Sequence, residues 1–537
     1  MRLSEKYLPW LASLLLISHL HSAHAAPDPA TLGDLLKQPS TELAATCQPL
    51  PLRLDEALHQ TLRGFYQAAG EQPQWTPARL QALHTELAAL ADDGLEPREY
   101  ALDLLREAPA QTARSCQELL TSSAYLRALQ HLAQGRLDPQ QSEPLWHAPS
   151  VTVPKRALPD PAHALAGLED LPATFTQARP AAPQYQALRA AYAAVRQQPL
   201  AQWEPLEQGP LLRPGRHDPR VPALAQRLQA GGYLAERDPL EEETLYSSAL
   251  VEALKAFQRA HHVQDDGVLG PATLRELNVS PLQRRDQLRV NLERWRWLAR
   301  ELEPDLLLVD IAGAQLQLYR EGRLLWQARS QVGRAERPTP PLKSRLSHLT
   351  LNPTWTVPPT IFTKDKLPQI RNDPGYLTRN HMQVLDYAGN RLDPQQIDWS
   401  RPGPILLRQT AGSHNPLGRV AIRFANPFSV YLHDTPSQAL FDKLPRVFSS
   451  GCVRVERAAQ LTDLLLDSSS AAQRQRIAQW QDSGETRNVN LPRALPILMA
   501  YWTASVEDDA LHFRPDLYHA DERLRVALDR AIHQGLR

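Results

Sequence analysis

Net charge, cysteine and long apolar runs are all scarce in this chain of 537 residues. Lysine plus arginine and aspartate plus glutamate number 59 each, so the formal net charge is +0. A nucleic-acid-binding protein would carry a basic excess, and none is present. Past the N-terminus no run of 18 or more apolar residues occurs, so no internal helical membrane span is expected. There is no H-E-x-x-H, the cysteines do not cluster, and His261 and His262 are adjacent rather than spaced along a helix face. A zinc peptidase therefore lacks its ligands, and no metal or cofactor is expected.

What is present points to export and to several domains. Arg2 and Lys6, the short apolar stretch Leu8 to Leu20, and Ala23-His24-Ala25 read as a secretory signal over residues 1–25. That stretch is short for a hydrocarbon core of about 30 Å, so cleavage is favoured over retention as an anchor. No lipobox cysteine follows it. The three cysteines are Cys47, Cys116 and Cys452. In an oxidising compartment two would tend to pair and leave one reactive, most simply Cys47 with Cys116. Three free thiols remain the alternative, because a sequence does not give the Cα separation.

Residues 27–200 read as mostly helical, with apolar residues at three- and four-residue spacing over Leu54 to Ala69, Arg79 to Ala91, Cys116 to Leu132 and Gln184 to Gln197. Gly135 supplies a helix stop. Proline-rich connectors run from Pro144 to Pro161 and from Pro199 to Pro222. From Asp305 onward the period changes to that of strands: Leu306 to Ile311, Gln315 to Tyr319, and Leu324 to Val332 after a Glu321-Gly322-Arg323 turn. Val420 to Phe424 and Val430 to His433 follow. A C-terminal hairpin is expected from Ile497 to Val506 and Ala510 to Phe513.

The chemistry concentrates in residues 433–454. His433 ends a strand, and Cys452 follows the small-residue turn Ser449-Ser450-Gly451. A thiol at such a turn is a sensible nucleophile, because Gly451 lets the chain approach a carbonyl and the amides at 451–453 could hold an oxyanion. A histidine across the site can take the thiol proton. A lone cysteine is more often a small buried hydrophobe; the joint pattern is what favours catalysis.

His433-Asp434-Thr435 followed by Ser449-Ser450-Gly451-Cys452-Val453-Arg454 closely resembles the signature of YkuD-type L,D-transpeptidases. Asn352 to Pro358, Leu417-Gly418, Tyr431 to Pro436 and Tyr501 to Ala504 extend the likeness to the long, YcbB-like Gram-negative subgroup. Ser450 stands where many members have His, and Thr410-Ala411-Gly412 where Pro-Gly is usual. Within residues 210–280, Ala253 to Gln258, Asp266 to Leu274 and Leu277-Asn278 resemble the three-helix peptidoglycan-binding domain, with His262 in place of a glycine.

The resemblance implies a multidomain α+β chain. Its parts are a helical scaffold (26–205), a peptidoglycan-binding domain (206–280), a linker helix (281–303) and a mainly-β catalytic domain (304–537). Residues 358–403 form a capping insert, and 481–537 supply C-terminal strands and a helix. The activity implied is 3→3 cross-linking of peptidoglycan stem peptides through a thioester on Cys452, in the periplasm. His433 is the implied base, oriented by the backbone carbonyl of Asp434. Ser449 and Ser450 hold the turn. Arg454 either grips a substrate carboxylate or forms a structural ion pair with Glu456 or another acid. Tyr431 and Trp355 are candidate pocket walls, although aromatics near strands are often core. The implied partners are stem peptides and glycan, with no nucleic acid. An L,D-carboxypeptidase using the same residues, or a non-catalytic wall-binding protein, are the other readings.

Overall fold

The computed structural model describes residues 31–107, 114–154, 159–201, 204–235, 243–373 and 375–536. The expected signal segment, 1–25, lies outside them. The chain is multidomain α+β. Its helical N-terminal part includes Glu56–Ala68, Pro77–Ala89 and Arg114–Gln134, the last ended by Gly135 at φ 82°. Apolar faces from these helices converge on one core that contains Leu62, Phe65, Leu87 and Leu126. In that core Cys47 and Cys116 form a disulfide, with Cα atoms 5.4 Å apart.

Three helices, Val221–Ala230, Ser248–Ala260 and Pro271–Leu277, make a second small core around Leu224, Leu254 and Leu274. His262, at φ 48°, occupies the left-handed conformation a glycine would take more readily.

The C-terminal region is built mainly from strands. In chain order they begin with β1 (Trp146–His147), β2 (Leu306–Asp310), β3 (Gln315–Arg320), β4 (Arg323–Gly333) and β5 (Leu342–Leu351). A second group is β6 (Trp355–Thr356), β7 (Met382–Leu385), β8 (Arg391–Leu392) and β9 (Leu406–Gln409). Then come β10 (Val420–Phe424), β11 (Leu432–His433), β12 (Val447–Ser449) and β13 (Val453–Val455). The last are β14 (Arg487–Ala500), β15 (Ala504–Glu507) and β16 (Ala510–Phe513).

Pairing runs β5-β10-β11-β13-β4-β3-β2-β14, and β14 pairs back onto β5, so these strands close a barrel. Alternate residues such as Leu307, Val309, Leu432, Val453 and Ile497 fill its interior. The intervening Leu306, Leu308, Leu498 and Ala500 face outward against the helix Pro281–Leu298, which is why β2 reads as an unbroken apolar run. The scaffold also contributes β1, a parallel addition to the start of β5. Strands β6, β9, β7 and β8 form a separate sheet. With the helical stretch from Pro359 to Asn372, that sheet makes the insert its own small core.

Two expectations need correction. The strand expected over 497–506 is broken at Tyr501-Trp502-Thr503: β14 ends at Ala500 in the barrel, and β15 pairs only with β16. Thr503 caps the break, its N–H donating to Asn291 Oδ1 at 2.9 Å. The helix Pro281–Leu298 is also more than a linker. Arg294 and Arg296 on it are almost wholly buried, and Arg294 bridges Glu143 of the scaffold at 2.7 Å and Asp521 at 2.5 Å. Arg296 pairs with Glu293 and donates to Asp93 O at 2.7 Å.

The disulfide closes a span of 69 residues, so cutting it frees a long loop in the unfolded chain. Cys116→Ser should cost the scaffold on the order of 4 kcal/mol. Alkylation of the denatured, unreduced protein should label Cys452 alone among the cysteines; labelling at all three, or none, overturns the pairing.

Candidate active site

The alternation of side chains along two short strands assembles the site. β11 pairs in parallel with β13, Leu432 opposite Val453 and His433 opposite Arg454. Leu432 and Val453 are fully buried in the barrel, so His433 and Arg454 point to its outer face. Two residues back, Tyr431 and Cys452 share that face. On the other flank β10 sets Ala421 opposite His433 and Ile422 opposite Leu432, which brings Arg423 alongside Tyr431. The Arg423 guanidinium lies 3.9 Å from the Tyr431 ring centroid. Gln331 of β4 faces Arg454. One row of polar side chains thus crosses four strands.

His433 is buried, and its Nδ1 lies 2.5 Å from Asp434 O. A carbonyl only accepts, so Nδ1 carries the proton and Nε2 is left as the basic nitrogen. The Asp434 carboxylate takes no part in this: its Oδ2 accepts the Arg419 N–H at 2.9 Å. Gly418, at φ 61°, makes room for it, since a Cβ there would overlap the carboxylate. Burial pulls the His433 pKa down to about 3. The Asp434 carbonyl opposes that shift, and the Arg454 and Arg423 charges add to it.

The turn at 449–452 is held from inside. Gly451 has φ 114°, a conformation side chains rarely adopt. Ser449 Oγ accepts the Gly451 N–H at 3.1 Å and donates to Cys452 O at 2.5 Å. Thr339 Oγ1 donates to Gly451 O at 2.9 Å. Ser450 points outward, accepting from Arg337 at 3.1 Å and Arg334 at 3.3 Å. The Val453 N–H is spent on Tyr431 O at 3.1 Å. Of the three amides suggested by the sequence, only that of Cys452 is therefore without a partner among the described residues. This narrows the oxyanion donors.

Cys452 Sγ is half-buried and donates weakly to Ser429 O at 3.8 Å. Burial raises its pKa, while the Tyr431 N–H and the Arg423 charge act in the other direction. With His433 pulled down and the thiol pushed up, the resting pair at neutral pH is thiol and neutral imidazole. Among the described residues no hydrogen bond joins the two side chains.

The Arg454–Glu456 pair offered by the sequence does not form. Glu456 is taken by Arg329 at 2.6 Å, and Arg454 donates instead to Gln331 Oε1 at 2.9 Å. Trp355 stands in the insert's sheet opposite Gln409, with Lys366 Nζ 5.7 Å from its ring. The insert is tied down near Cys452: Asp365 pairs with Arg337 through two bonds of 2.6 and 2.8 Å, and Arg337 also holds Ser450. A cavity of about 870 Å³ reaches this turn, and its lining includes Glu143, Arg294, Thr339, Phe428, Gly451 and Tyr518. Among the described residues no group of three potential metal ligands occurs. No described helix is long and apolar enough to cross a membrane.

Arg423, Thr339 and the Arg337–Asp365 pair were not foreseen from sequence. Only Arg423 left a signal, as the outward polar residue in the apolar strand Val420–Phe424.

Comparison with known proteins agrees with this geometry. Residues 304–473 match the L,D-transpeptidase catalytic domain (YkuD). Residues 60–191 match a scaffold domain, and 217–277 match a "Putative peptidoglycan binding domain". A Haemophilus influenzae protein named "Putative L,D-transpeptidase" is 33% identical over 261 residues, which cover 48% of this chain and 51% of the relative. The match thus spans about half the length of that curated relative. Solved L,D-transpeptidases from Mycobacterium smegmatis and Xylanimonas cellulosilytica are 15% and 18% identical. They cover 37% and 55% of this chain, and 58% and 100% of their own chains, with TM-scores of 0.17 and 0.18, too low to carry weight. The chain carries a YkuD-type L,D-transpeptidase catalytic domain joined to a peptidoglycan-binding domain and a scaffold domain.

The resting protonation state can be tested on the enzyme alone. Alkylation of Cys452 by iodoacetamide should keep accelerating as pH rises past 9, and His433→Gln should leave that profile nearly unchanged. A plateau below pH 7 would mean a pre-formed thiolate. Stability supplies the sign for His433: unfolded histidine binds a proton near pH 6.5, whereas the folded site refuses it until about 3. Its contribution is present above pH 6.5 and lost as pH falls toward 3, by roughly 1 kcal/mol per pH unit. Denaturant titrations from pH 7 to 4 should show a shallower decline for His433→Gln than for wild type.

Proposed function

We propose that this chain is a periplasmic L,D-transpeptidase of the long, YcbB-like type, which forms 3→3 cross-links in peptidoglycan. The observation that carries the reading is the placement of His433 and Cys452 on one face of paired parallel strands, with the imidazole tautomer fixed by Asp434 O. The thiol proton passes to His433 Nε2 as Sγ attacks the carbonyl of the third stem residue. The developing oxyanion meets the Cys452 N–H. The C–N bond to the terminal D-alanine then breaks, and His433 returns the proton to the leaving amine. The resulting thioester is attacked by the side-chain amine of a second stem. His433 takes the proton from that amine, and the thiolate regains one as the product leaves. An exported location follows from the signal-like segment 1–25, and the domain at 217–277 would hold the enzyme on its polymer.

The test is mass spectrometry of products from disaccharide-tetrapeptides. Wild type should yield 3→3 dimers, and Cys452→Ala and His433→Ala should each lose at least about 10³-fold. Dimers from Cys452→Ala would remove the nucleophile. Tripeptides without dimers at high acceptor concentration would make the enzyme an L,D-carboxypeptidase.

A carbapenem should add one drug mass to Cys452, since its strained carbonyl meets the same donors. Protein active on tetrapeptides yet unmodified by the drug would contradict the site. The insert fastened by Arg337 and Asp365 is positioned to shield the thioester from water. Asp365→Asn should therefore raise the ratio of tripeptide to dimer; an unchanged ratio would deny the insert that role.

A further inference from the structure

Three successive peptide groups make the turn at Cys452, and each is held differently. The Ser450–Gly451 peptide gives its N–H to Ser449 Oγ at 3.1 Å. The Cys452–Val453 peptide is fixed at both ends, its oxygen accepting from Ser449 Oγ at 2.5 Å and its N–H donating to Tyr431 O at 3.1 Å. The Gly451–Cys452 peptide between them is fixed on its oxygen alone, by Thr339 Oγ1 at 2.9 Å. Among the described residues no other hydrogen bond reaches that group. A trans peptide points its oxygen and its N–H in opposite directions, so anchoring the oxygen decides where the N–H is aimed. Gly451, at φ 114°, lacks the side chain that would hinder a flip of this peptide, and the anchor therefore matters.

The anchor is fixed in turn. Thr339 is 1% exposed, which keeps water from competing for its hydroxyl. Thr339 Oγ1 accepts the Gly333 N–H at 2.8 Å, leaving its one proton for Gly451 O. The chain between Gly333 and Thr339 folds back so closely that a Cβ at Gly333 would overlap Arg337 O and Thr339 N. Tyr518 closes this loop: its hydroxyl donates to Gly333 O at 2.5 Å and accepts the Thr339 N–H at 3.3 Å. A relay thus runs from Gly333 N–H through the Thr339 hydroxyl to the Gly451 carbonyl. Bonds linked in this way polarise one another in an enclosed site, and a carbonyl that accepts makes the N–H of its own peptide a better donor.

We propose that Thr339 is a positioning residue for acyl transfer, whose hydroxyl aims and polarises the Gly451–Cys452 peptide so that the Cys452 N–H meets the oxyanion. This inference rests on the reaction proposed above. As Sγ bonds to the carbonyl carbon, the π pair moves onto oxygen, and that oxygen is what the N–H receives. Thr339 acts through the peptide rather than on the substrate, and its contribution grows only as charge develops.

The experiment compares two kinds of reaction at Cys452 in the full chain. Acylation by a carbapenem and release of D-alanine from a disaccharide-tetrapeptide both pass through an oxyanion. Alkylation by iodoacetamide does not, because the sulfur displaces iodide at a saturated carbon. Thr339→Val keeps the side-chain shape and removes the donor. It should slow drug acylation and D-alanine release by about 10- to 100-fold, in kcat rather than KM, less than deleting an oxyanion donor outright. Its alkylation rate should stay within about 2-fold of wild type, since no oxyanion is at stake. Thr339→Ser keeps the hydroxyl and should bring acylation back to within about 3-fold of wild type. Should Thr339→Val not fold, Thr339→Ala carries the same expectation. Equal slowing of acylation and alkylation would show a turn that is merely disordered, and would overturn the proposal. So would a Thr339→Ser as slow as Thr339→Val. Normal acylation by Thr339→Val sinks this inference alone, whereas a wild type that neither takes the drug nor releases D-alanine sinks the proposed function.

Discussion

The site depends on one contact, the parallel pairing of Leu432–His433 with Val453–Val455. Strands this short would slip if they stood alone, and a slip of one residue would send His433 into the barrel and Leu432 out. Closure of the ring between β5 and β14 removes that freedom, because every strand has two neighbours and the interior is filled. Leu432 and Val453, both fully buried, lock the inner half of the register. The outer half then has no choice: Tyr431 and His433 on one strand face the same side as Cys452 and Arg454 on the next. The juxtaposition of His433 and Cys452 follows from where Leu432 and Val453 must go.

The same geometry sets the electrostatics. A histidine on a packed sheet face beside two arginines is hard to protonate, and a thiol enclosed there is hard to ionise. The arrangement keeps the Cys452 thiol protonated in the resting protein. It stands apart from the overall balance of the chain, whose net charge of +0 hides a local excess of unpaired cations at this face. Here the informative quantity is the distribution of charge rather than its sum.

What could be read from sequence was local. The His433/Cys452 block is contiguous enough to show as a pattern, β2 announces itself by its apolar run, and β3 by alternation. Longer-range features were hidden by misleading chemistry. β5 carries Lys343, Ser344, Arg345 and His348, which argue against a core strand, yet Lys343 is buried with Glu303 at 2.9 Å. β14 opens on Arg487-Asn488-Val489-Asn490 and gives no apolar period until Leu495. The helix Pro281–Leu298 reads as a charged linker, because partners such as Glu143, Asp93 and Asp521 lie far away in the chain. Thr339 holds the Gly451 carbonyl across 112 positions, a relation no local pattern carries. The insert's sheet, made of strands of two to four residues, is too fragmentary to show a period.

These hidden contacts join what the sequence suggests are separable domains. The scaffold lends β1 to the barrel wall, and its Glu143 meets Arg294 on the helix that also backs β2 and β14. The three-helix domain touches the C-terminal strand region at several points. Gln264 accepts the Leu444 N–H at 3.2 Å, and His261 stacks between Phe257 and Phe513, with ring separations of 3.8 and 5.6 Å. His261 is buried, and enclosure together with the nearby Arg284 keeps it neutral. A neutral aromatic stack and buried ion pairs of this kind resist shear between domains better than an exposed linker does. The orientation of the Cys452 face relative to the three-helix domain is therefore part of the fold. Under the proposed function, that rigidity fixes how the three-helix domain and the Cys452 face are presented together to one substrate.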